Sequence, residues 1–155
     1  MALPKLPQEP LYALCQSLEN APLPPAVQGA LFERIGKEQE CAEPNAETLA
    51  YLCRALASCN GSSMRTNKLL TLQQTQPSPA LLLAIAGRLW PDLKDAGLLS
   101  LFLEQLALQP TQFFNQVFAE LVTLPALRND MLARLRDPER SDALGQAIGR
   151  LFASA

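Results

Sequence analysis

Apolar residues recur along this chain with the spacing of one face of an α-helix. At five places they occupy positions i, i+3, i+4 and i+7, which lie on one side of a helix. The five stripes are Leu11, Leu14, Cys15 and Leu18; Leu49, Leu52, Cys53 and Leu56; Leu82, Ile85, Ala86 and Leu89; Phe114, Val117, Phe118 and Leu121; and Leu144, Ala147, Ile148 and Leu151. The stripes begin at nearly regular intervals, which shorten slightly toward the C-terminus. No segment alternates with a period of two, so we predict an all-α fold.

A further amphipathic segment lies between each stripe and the next. Their apolar residues are Val27, Leu31 and Ile35; Leu69 and Leu72; Leu99, Phe102, Leu103 and Leu106; and Leu127, Met131 and Leu135. A helical hairpin that returns at intervals of this length is typical of helical-repeat proteins, in which neighbouring hairpins stack to bury their apolar faces. We therefore predict stacked antiparallel helical hairpins in a HEAT-like repeat. A compact helical bundle gives a similar pattern and stays as the alternative.

Residues that begin and end helices divide the chain into segments. Asn45, Ser78 and Ser141 are predicted N-caps, because their side chains accept hydrogen bonds from the free N–H groups of a first helical turn. Asn60–Gly61 and Trp90–Pro91 are predicted helix ends. We predict about nine helices, near residues 9–20, 25–36, 46–59, 62–75, 79–89, 95–108, 111–123, 126–136 and 142–153.

Length and composition favour one globular domain. The chain has 155 residues, of which 48% are apolar and 18% charged, and this suits a single α-helical domain over residues 1–155. No stretch approaches the roughly 20 apolar residues that span a bilayer, so no membrane segment is predicted. The N-terminal segment, Met1 to Pro10, lacks the pattern of a secretory signal, and we therefore predict a cytoplasmic protein.

The charge pattern argues against a nucleic-acid partner. The formal net charge is −2, and the densest group of basic residues lies near the C-terminus. Acidic residues interleave with that group: Arg128, Arg134, Arg136, Arg140 and Arg150 alternate with Asp130, Asp137, Glu139 and Asp142. Binding to nucleic acid needs a basic stripe that neutralises several phosphates. We predict a solvated, salt-bridged helix surface instead.

The residue types that carry most enzyme chemistry are scarce. The chain has no histidine, which removes the commonest general base and metal ligand. Its cysteines, Cys15, Cys41, Cys53 and Cys59, have no metal-knuckle spacing, and we predict free thiols with Cys41 and Cys59 the more exposed. No glycine-rich loop follows a strand. We therefore predict that the protein is not an enzyme and has no catalytic, metal-binding or cofactor-binding residue and no cofactor.

A few polar and aromatic residues stand out individually. Glu104 lies among leucines, and we interpret it as a polar-face residue rather than a catalytic acid. Residues 64–68, together with Arg54, would form a small basic face for an anionic ligand or an acidic partner segment, although a solvated surface is the simpler interpretation. Tyr12, Tyr51 and Trp90 are interpreted as residues at the edge of the core rather than binding anchors.

Two apolar segments in the middle of the chain indicate where a binding surface would lie. Residues 81–86 and 98–108 are apolar almost all round, which predicts burial on several sides. If either helix instead exposes an apolar face, that face is a partner-binding surface. Our leading hypothesis is a domain that binds another protein or another domain of its own chain. The alternative is a small-molecule or lipid-binding bundle with an enclosed cavity. Neither the binding residues nor the oligomeric state is predicted.

Three segments of the sequence resemble a known family. They are residues 14–24 (LCQSLENAPLP), 83–88 (LAIAGR) and 147–152 (AIGRLF). In these segments the chain resembles the DUF3549 family, a proteobacterial family of unknown function. The resemblance implies no activity, cofactor or site, because the matching residues are packing residues. It implies that this chain corresponds to the C-terminal portion of a longer protein.

Overall fold

A computed structural model describes residues 6–59 and 62–153 of the chain. Within these residues it contains nine α-helices: α1 (Gln8–Leu18), α2 (Pro25–Gln39), α3 (Ala46–Ala55), α4 (Ser63–Thr75), α5 (Pro79–Arg88), α6 (Ala96–Ala107), α7 (Thr111–Val122), α8 (Pro125–Leu135) and α9 (Asp142–Ala153). A 3₁₀ helix, Trp90–Lys94, connects α5 to α6. The described residues contain no β-strand. The predicted all-α fold is confirmed, and most helices begin and end close to their predicted positions.

The predicted N-caps are present and explain where three helices begin. Each cap side chain accepts a hydrogen bond from a backbone N–H in the first turn, which satisfies a donor that the helix itself leaves free. The bonds join Asn45 to Thr48 at 2.9 Å, Ser78 to Leu81 at 3.1 Å and Ser141 to Leu144 at 3.1 Å.

Some predicted segment ends differ from the structure: α1 ends at Leu18 rather than residue 20, and α2 extends to Gln39 rather than residue 36. Helix α3 ends at Ala55, not near residue 59, because the carbonyl groups of Leu56 and Ala57 accept hydrogen bonds from the guanidinium of Arg65. The predicted end at Asn60–Gly61 lies outside the described residues. Helix α5 ends just before Trp90–Pro91, as predicted, and the chain continues from Trp90 as a 3₁₀ helix. Proline fits that first turn because its missing N–H is not required there.

The helices pack in two layers that follow the order of the chain. The odd-numbered helices form one layer, in which α1 contacts α3, α3 contacts α5, α5 contacts α7 and α7 contacts α9. In the other layer α4 contacts α6 and α6 contacts α8, while α2 lies against α3. Helix α6 also contacts α5, α7, α9 and the 3₁₀ helix. The hairpins therefore stack in sequence, and α6 lies at the centre.

Burial of the predicted stripes follows this stacking. All four residues of the α3 stripe and of the α7 stripe are buried, including Leu52 and Phe114. In the terminal helices the stripe is covered less completely, since Leu18 of α1 and Leu151 of α9 are only partly buried. A terminal helix has a stacking neighbour on one side only, which explains the difference.

A buried ion pair joins the end of α3, the start of α4 and the 3₁₀ helix. The side chain of Arg65 is 1% exposed, and its Nε lies 2.9 Å from Asp92 Oδ2 while its Nη2 lies 2.5 Å from Asp92 Oδ1. Its Nη1 donates to the carbonyl groups of Leu56 and Ala57 at 2.9 and 3.1 Å. Arg65 therefore does not belong to the basic face considered over residues 64–68, because it turns inward to pair with Asp92.

The cysteines are free thiols in different surroundings. Cys15 and Cys53 are buried and Cys41 is exposed, as predicted. Cys59 was expected to be exposed but is buried, because the turn after α3 folds back onto the core. Burial away from water disfavours the thiolate and raises the pKa of the Cys15 and Cys53 thiols from 9.0 to about 12.

These surroundings predict selective thiol chemistry. At pH 8 in the native state we expect Cys41 to react with a maleimide within minutes, and the three buried thiols to react only as the chain unfolds. Mass spectrometry of labelled peptides measures this directly. The folded-state pKa values of Cys15 and Cys53 lie above the unfolded value, so the protonated thiols favour the folded state. Their contribution to the free energy of unfolding is complete below pH 9 and is lost as the pH rises toward 12. Rapid native labelling of Cys53 would contradict the predicted packing.

Candidate binding groove between α3 and α5

A groove of about 410 Å³ lies between α3 and α5, on the outside of the layer of odd-numbered helices. Nine residues line it: Glu47, Ala50, Tyr51, Arg54, Ala80, Leu83, Ala84, Gly87 and Arg88. On each helix they follow the spacing of one helical face, beginning two residues before the buried stripe. The groove therefore runs along both helices for about two turns, or roughly 10 Å. We call it the α3–α5 groove.

The floor of the groove is made of small residues, beside one exposed leucine. Alanines and a glycine let the surface between the two helices stay open, where larger side chains would fill it. Leu83 is 53% exposed, although the segment in which it lies was predicted to be buried on several sides. No atom of the described residues lies within 4 Å of the position that a Cβ would take on Gly87. Helix α5 thus exposes Leu83 and Gly87 on the groove side, while Ala84 in the floor is buried.

A cluster of charges closes one end of the groove. Glu19 lies at the end of α1 with its side chain 4% exposed, and Arg54 Nε lies 2.7 Å from its Oε1. Arg88 Nη2 lies 3.2 Å from the other oxygen, Oε2. Arg88 also lies within 3.5 Å of Asn20 Oδ1. The carboxylate of Glu19 therefore links three consecutive helices of the odd layer through two guanidinium groups.

Two stacked tyrosines support this end. The rings of Tyr12 and Tyr51 lie 4.0 Å apart at their centroids and 18° from parallel, and the guanidinium carbon of Arg54 lies 5.5 Å from the centre of the Tyr51 ring. The Tyr12 hydroxyl lies 3.0 Å from Thr48 Oγ1. Tyr51 and Trp90 pack against the edge of the core, as predicted, and Tyr12 is partly buried beside Tyr51. The Tyr51 ring faces the guanidinium of Arg54.

Glu104 has a structural partner that the sequence did not reveal. Its carboxylate accepts hydrogen bonds from the backbone N–H of Ser141, at 3.2 Å, and from the Ser141 hydroxyl. Ser141 in turn caps α9, so Glu104 ties α6 to the start of α9. The carboxylate thus serves helix packing in a polar crevice of about 220 Å³ that it shares with Arg134 and Asp137.

The C-terminal arginines match the predicted salt-bridged surface only in part, since among the described contacts Arg134 pairs with an interleaved acid while Arg128 and Arg140 donate to carbonyl groups. Arg134 lies 3.5 Å from Asp137, and Arg140 donates to the Asp137 carbonyl at 2.9 Å. Arg128 donates to the carbonyl of Val122 at 3.1 Å. These side chains are therefore engaged with nearby acids and carbonyl groups along α8 and the turn that follows it.

The described residues were predicted to hold neither a metal site nor a membrane-spanning helix. Across residues 6–59 and 62–153, no three acidic, cysteine or histidine side chains converge as metal ligands would. In the same part of the chain, every helix is too short or too polar to cross a bilayer.

The groove was not predicted from the sequence, because its lining is mostly alanine and glycine. These residues are common on any helix and carry no distinctive chemistry. A detectable signal is the constant offset along the chain that relates Glu47 to Ala80 and Arg54 to Gly87. It places the same face of two successive odd-numbered helices side by side.

Comparison with known proteins identifies the family of this chain. No curated protein and no solved structure matches this chain. A family model described as "Protein of unknown function (DUF3549)" matches residues 1–152, which is nearly the whole chain. The chain therefore belongs to the DUF3549 family.

Proposed function

We propose that this domain is a non-catalytic interaction module that binds an apolar helical segment of another protein in the α3–α5 groove. The observation that carries the proposal is the exposed face of α5, where Leu83 is 53% exposed beside a floor of small residues. An apolar face that a folded domain leaves uncovered is characteristic of a partner-binding surface. The proposal places the occupant on a rigid part of the fold, since α3 and α5 pack directly against each other.

The shape of the groove favours a helix as the occupant. Packed helices lie about 8 to 10 Å apart, and small side chains at the contact allow the closest approach. Two adjacent helices with a crease of alanine and glycine between them offer that contact to a third helix. Amphipathic helices bind such grooves through apolar residues spaced by three, four and seven positions. A small molecule is the less suitable occupant, because this groove opens to solvent along its length.

The proposal is tested by filling the groove without disturbing the fold. Gly87→Leu places an apolar side chain in open space on a helix, where leucine is the better helix former by about 0.5–1 kcal/mol. Gly149→Leu is the matched control, because Gly149 also lies near the end of its helix, α9, and has the same open surroundings. Proteins captured from cells by the wild-type domain are identified, purified and titrated against all three forms by calorimetry.

We expect a purified partner that binds the wild type and the Gly149→Leu variant equally and the Gly87→Leu variant at least tenfold more weakly. Both variants should melt no lower than the wild type. A partner that binds all three forms with the same affinity would place the interface elsewhere and overturn the proposal. Failure to capture any partner that depends on Gly87, with the folded state intact, would also overturn it. A segment of a longer form of this same chain that competes for the groove would identify an occupant from within the chain and contradict the assignment to another protein.

A further inference from the structure

We infer that the helix bound in the α3–α5 groove carries an acidic side chain, which lies between Arg54 and Arg88. This inference rests on the proposed function and adds the chemistry and the register of the occupant. The two arginines mark one end of the groove, while Glu47 lies at the opposite end on the first turn of α3. The groove is therefore electrically asymmetric along its length.

The arginine end has more donors than its internal acceptor uses. Two guanidinium groups share the single carboxylate of Glu19, so this end has a net positive charge. A guanidinium has five N–H donors, and the Arg54 and Arg88 side chains are 35% and 43% exposed. Glu19 is 4% exposed and lies beneath them, so its oxygens face the protein. Donors on both arginines thus remain accessible from the groove.

These donors are already oriented for a second carboxylate. Glu19 holds both guanidinium groups from below, and the Tyr51 ring packs against the guanidinium group of Arg54. Less conformational entropy is lost when a ligand binds to side chains that are held in place. Arginine binds carboxylates through paired N–H donors, which gives direction as well as affinity. The same carboxylate at the other end would meet Glu47 and be repelled, so the charges select one register.

The register specifies a sequence pattern in the occupant. Groove-lining positions on α3 extend from Glu47 to Arg54, which is about two helical turns. A helix that lies along the crease contacts it through residues at i, i+3, i+4 and i+7. The pattern is an Asp or Glu at one end of this set and small apolar residues in the middle, opposite Leu83 and Ala84. A basic residue at the far end would pair with Glu47.

A display experiment tests the pattern without knowledge of the natural partner. The probe is a yeast-displayed library of amphipathic helices in which the four groove-facing positions are randomised. It is selected on the wild-type domain, and clones that also bind the Gly87→Leu variant are removed. We expect Asp or Glu to be enriched at one terminal position of the set. In a selected peptide, changing that acid to its amide should weaken binding about tenfold, the scale of a charge-assisted contact.

A double-mutant cycle tests whether the acidic residue of the peptide contacts Arg88. With Arg88→Gln in the domain, Arg54 alone remains opposite the acid, so the change from acid to amide in the peptide should have a clearly smaller effect than the tenfold loss seen with the wild type. With Arg150→Gln, the equivalent substitution on α9, the tenfold effect should persist. Binders that depend on Gly87 but show no enrichment of acids would overturn this inference and leave the proposed function standing. If no selected helix depends on Gly87, the groove does not accept a helix and both proposals fail.

Discussion

Replacing Arg65 with alanine should destabilise the domain by about 3–5 kcal/mol, because loss of one member of a buried ion pair leaves the other neither hydrated nor neutralised. The substitution removes a cation that is 1% exposed and leaves Asp92, 4% exposed, as a buried charge with its main partner gone. The carbonyl groups of Leu56 and Ala57 lose their donor as well. Urea unfolding followed by circular dichroism measures the change, which corresponds to a fall in melting temperature of roughly 10 °C.

An exposed ion pair provides the control. Lys37 and Glu33 lie 3.3 Å apart on the surface of α2, with side chains 46% and 58% exposed. Lys37→Ala should cost less than about 0.5 kcal/mol, since water screens such pairs. Arg65→Lys keeps the charge but not the paired donors, and it should fall between the two. If Arg65→Ala lowers the free energy of unfolding by less than about 1 kcal/mol, well under the range for a broken buried pair, the ion pair does not stabilise the connection between the α3–α4 turn and the 3₁₀ helix.

Most of the fold could be predicted from the sequence because the determining signals are local. The spacing of apolar residues decides which face of a helix is buried, and caps such as Asn45 and Ser78 decide where helices begin. The turn after α3 could not be predicted in this way. It depends on Arg65 and Asp92, which are far apart in sequence, and a basic residue at the start of a helix gives no sign that it will turn inward.

The groove was harder to predict than the fold for a related reason. Alanine and glycine are common on any helix, so Ala84 and Gly87 do not distinguish a binding surface from a tightly packed interface. The difference lies in the neighbouring residue Leu83, which is exposed beside the buried Ala84. Leu83 is exposed because α3 and α5 pack through their stripe residues and leave the outer face of the pair uncovered. That is a property of three-dimensional stacking, which the local pattern does not contain.

Truncation of Phe102 should be among the most damaging single changes in the core. Phe102 is fully buried on α6, and replacing a buried phenylalanine with alanine costs about 3–5 kcal/mol through lost apolar contact and the cavity left behind. Phe152→Ala is the control on the same residue type, because Phe152 is 64% exposed on α9, and its cost should stay within about 0.5 kcal/mol. Phe102→Leu, which removes less volume, should cost about a third as much as the alanine variant.

Phe102→Ala also distinguishes between two models of cooperativity among the stacked hairpins. In a linear repeat each hairpin contacts only its neighbours, and a central cavity would uncouple the two ends. Here α6 contacts α4, α5, α7, α8 and α9, so it joins early and late hairpins directly. We therefore expect Phe102→Ala to lower the urea midpoint while unfolding remains a single transition with an unchanged slope. Fluorescence of the single tryptophan, Trp90, and far-ultraviolet circular dichroism should report the same midpoint. Two separate midpoints would show that the ends of the domain unfold independently and that α6 does not unite them.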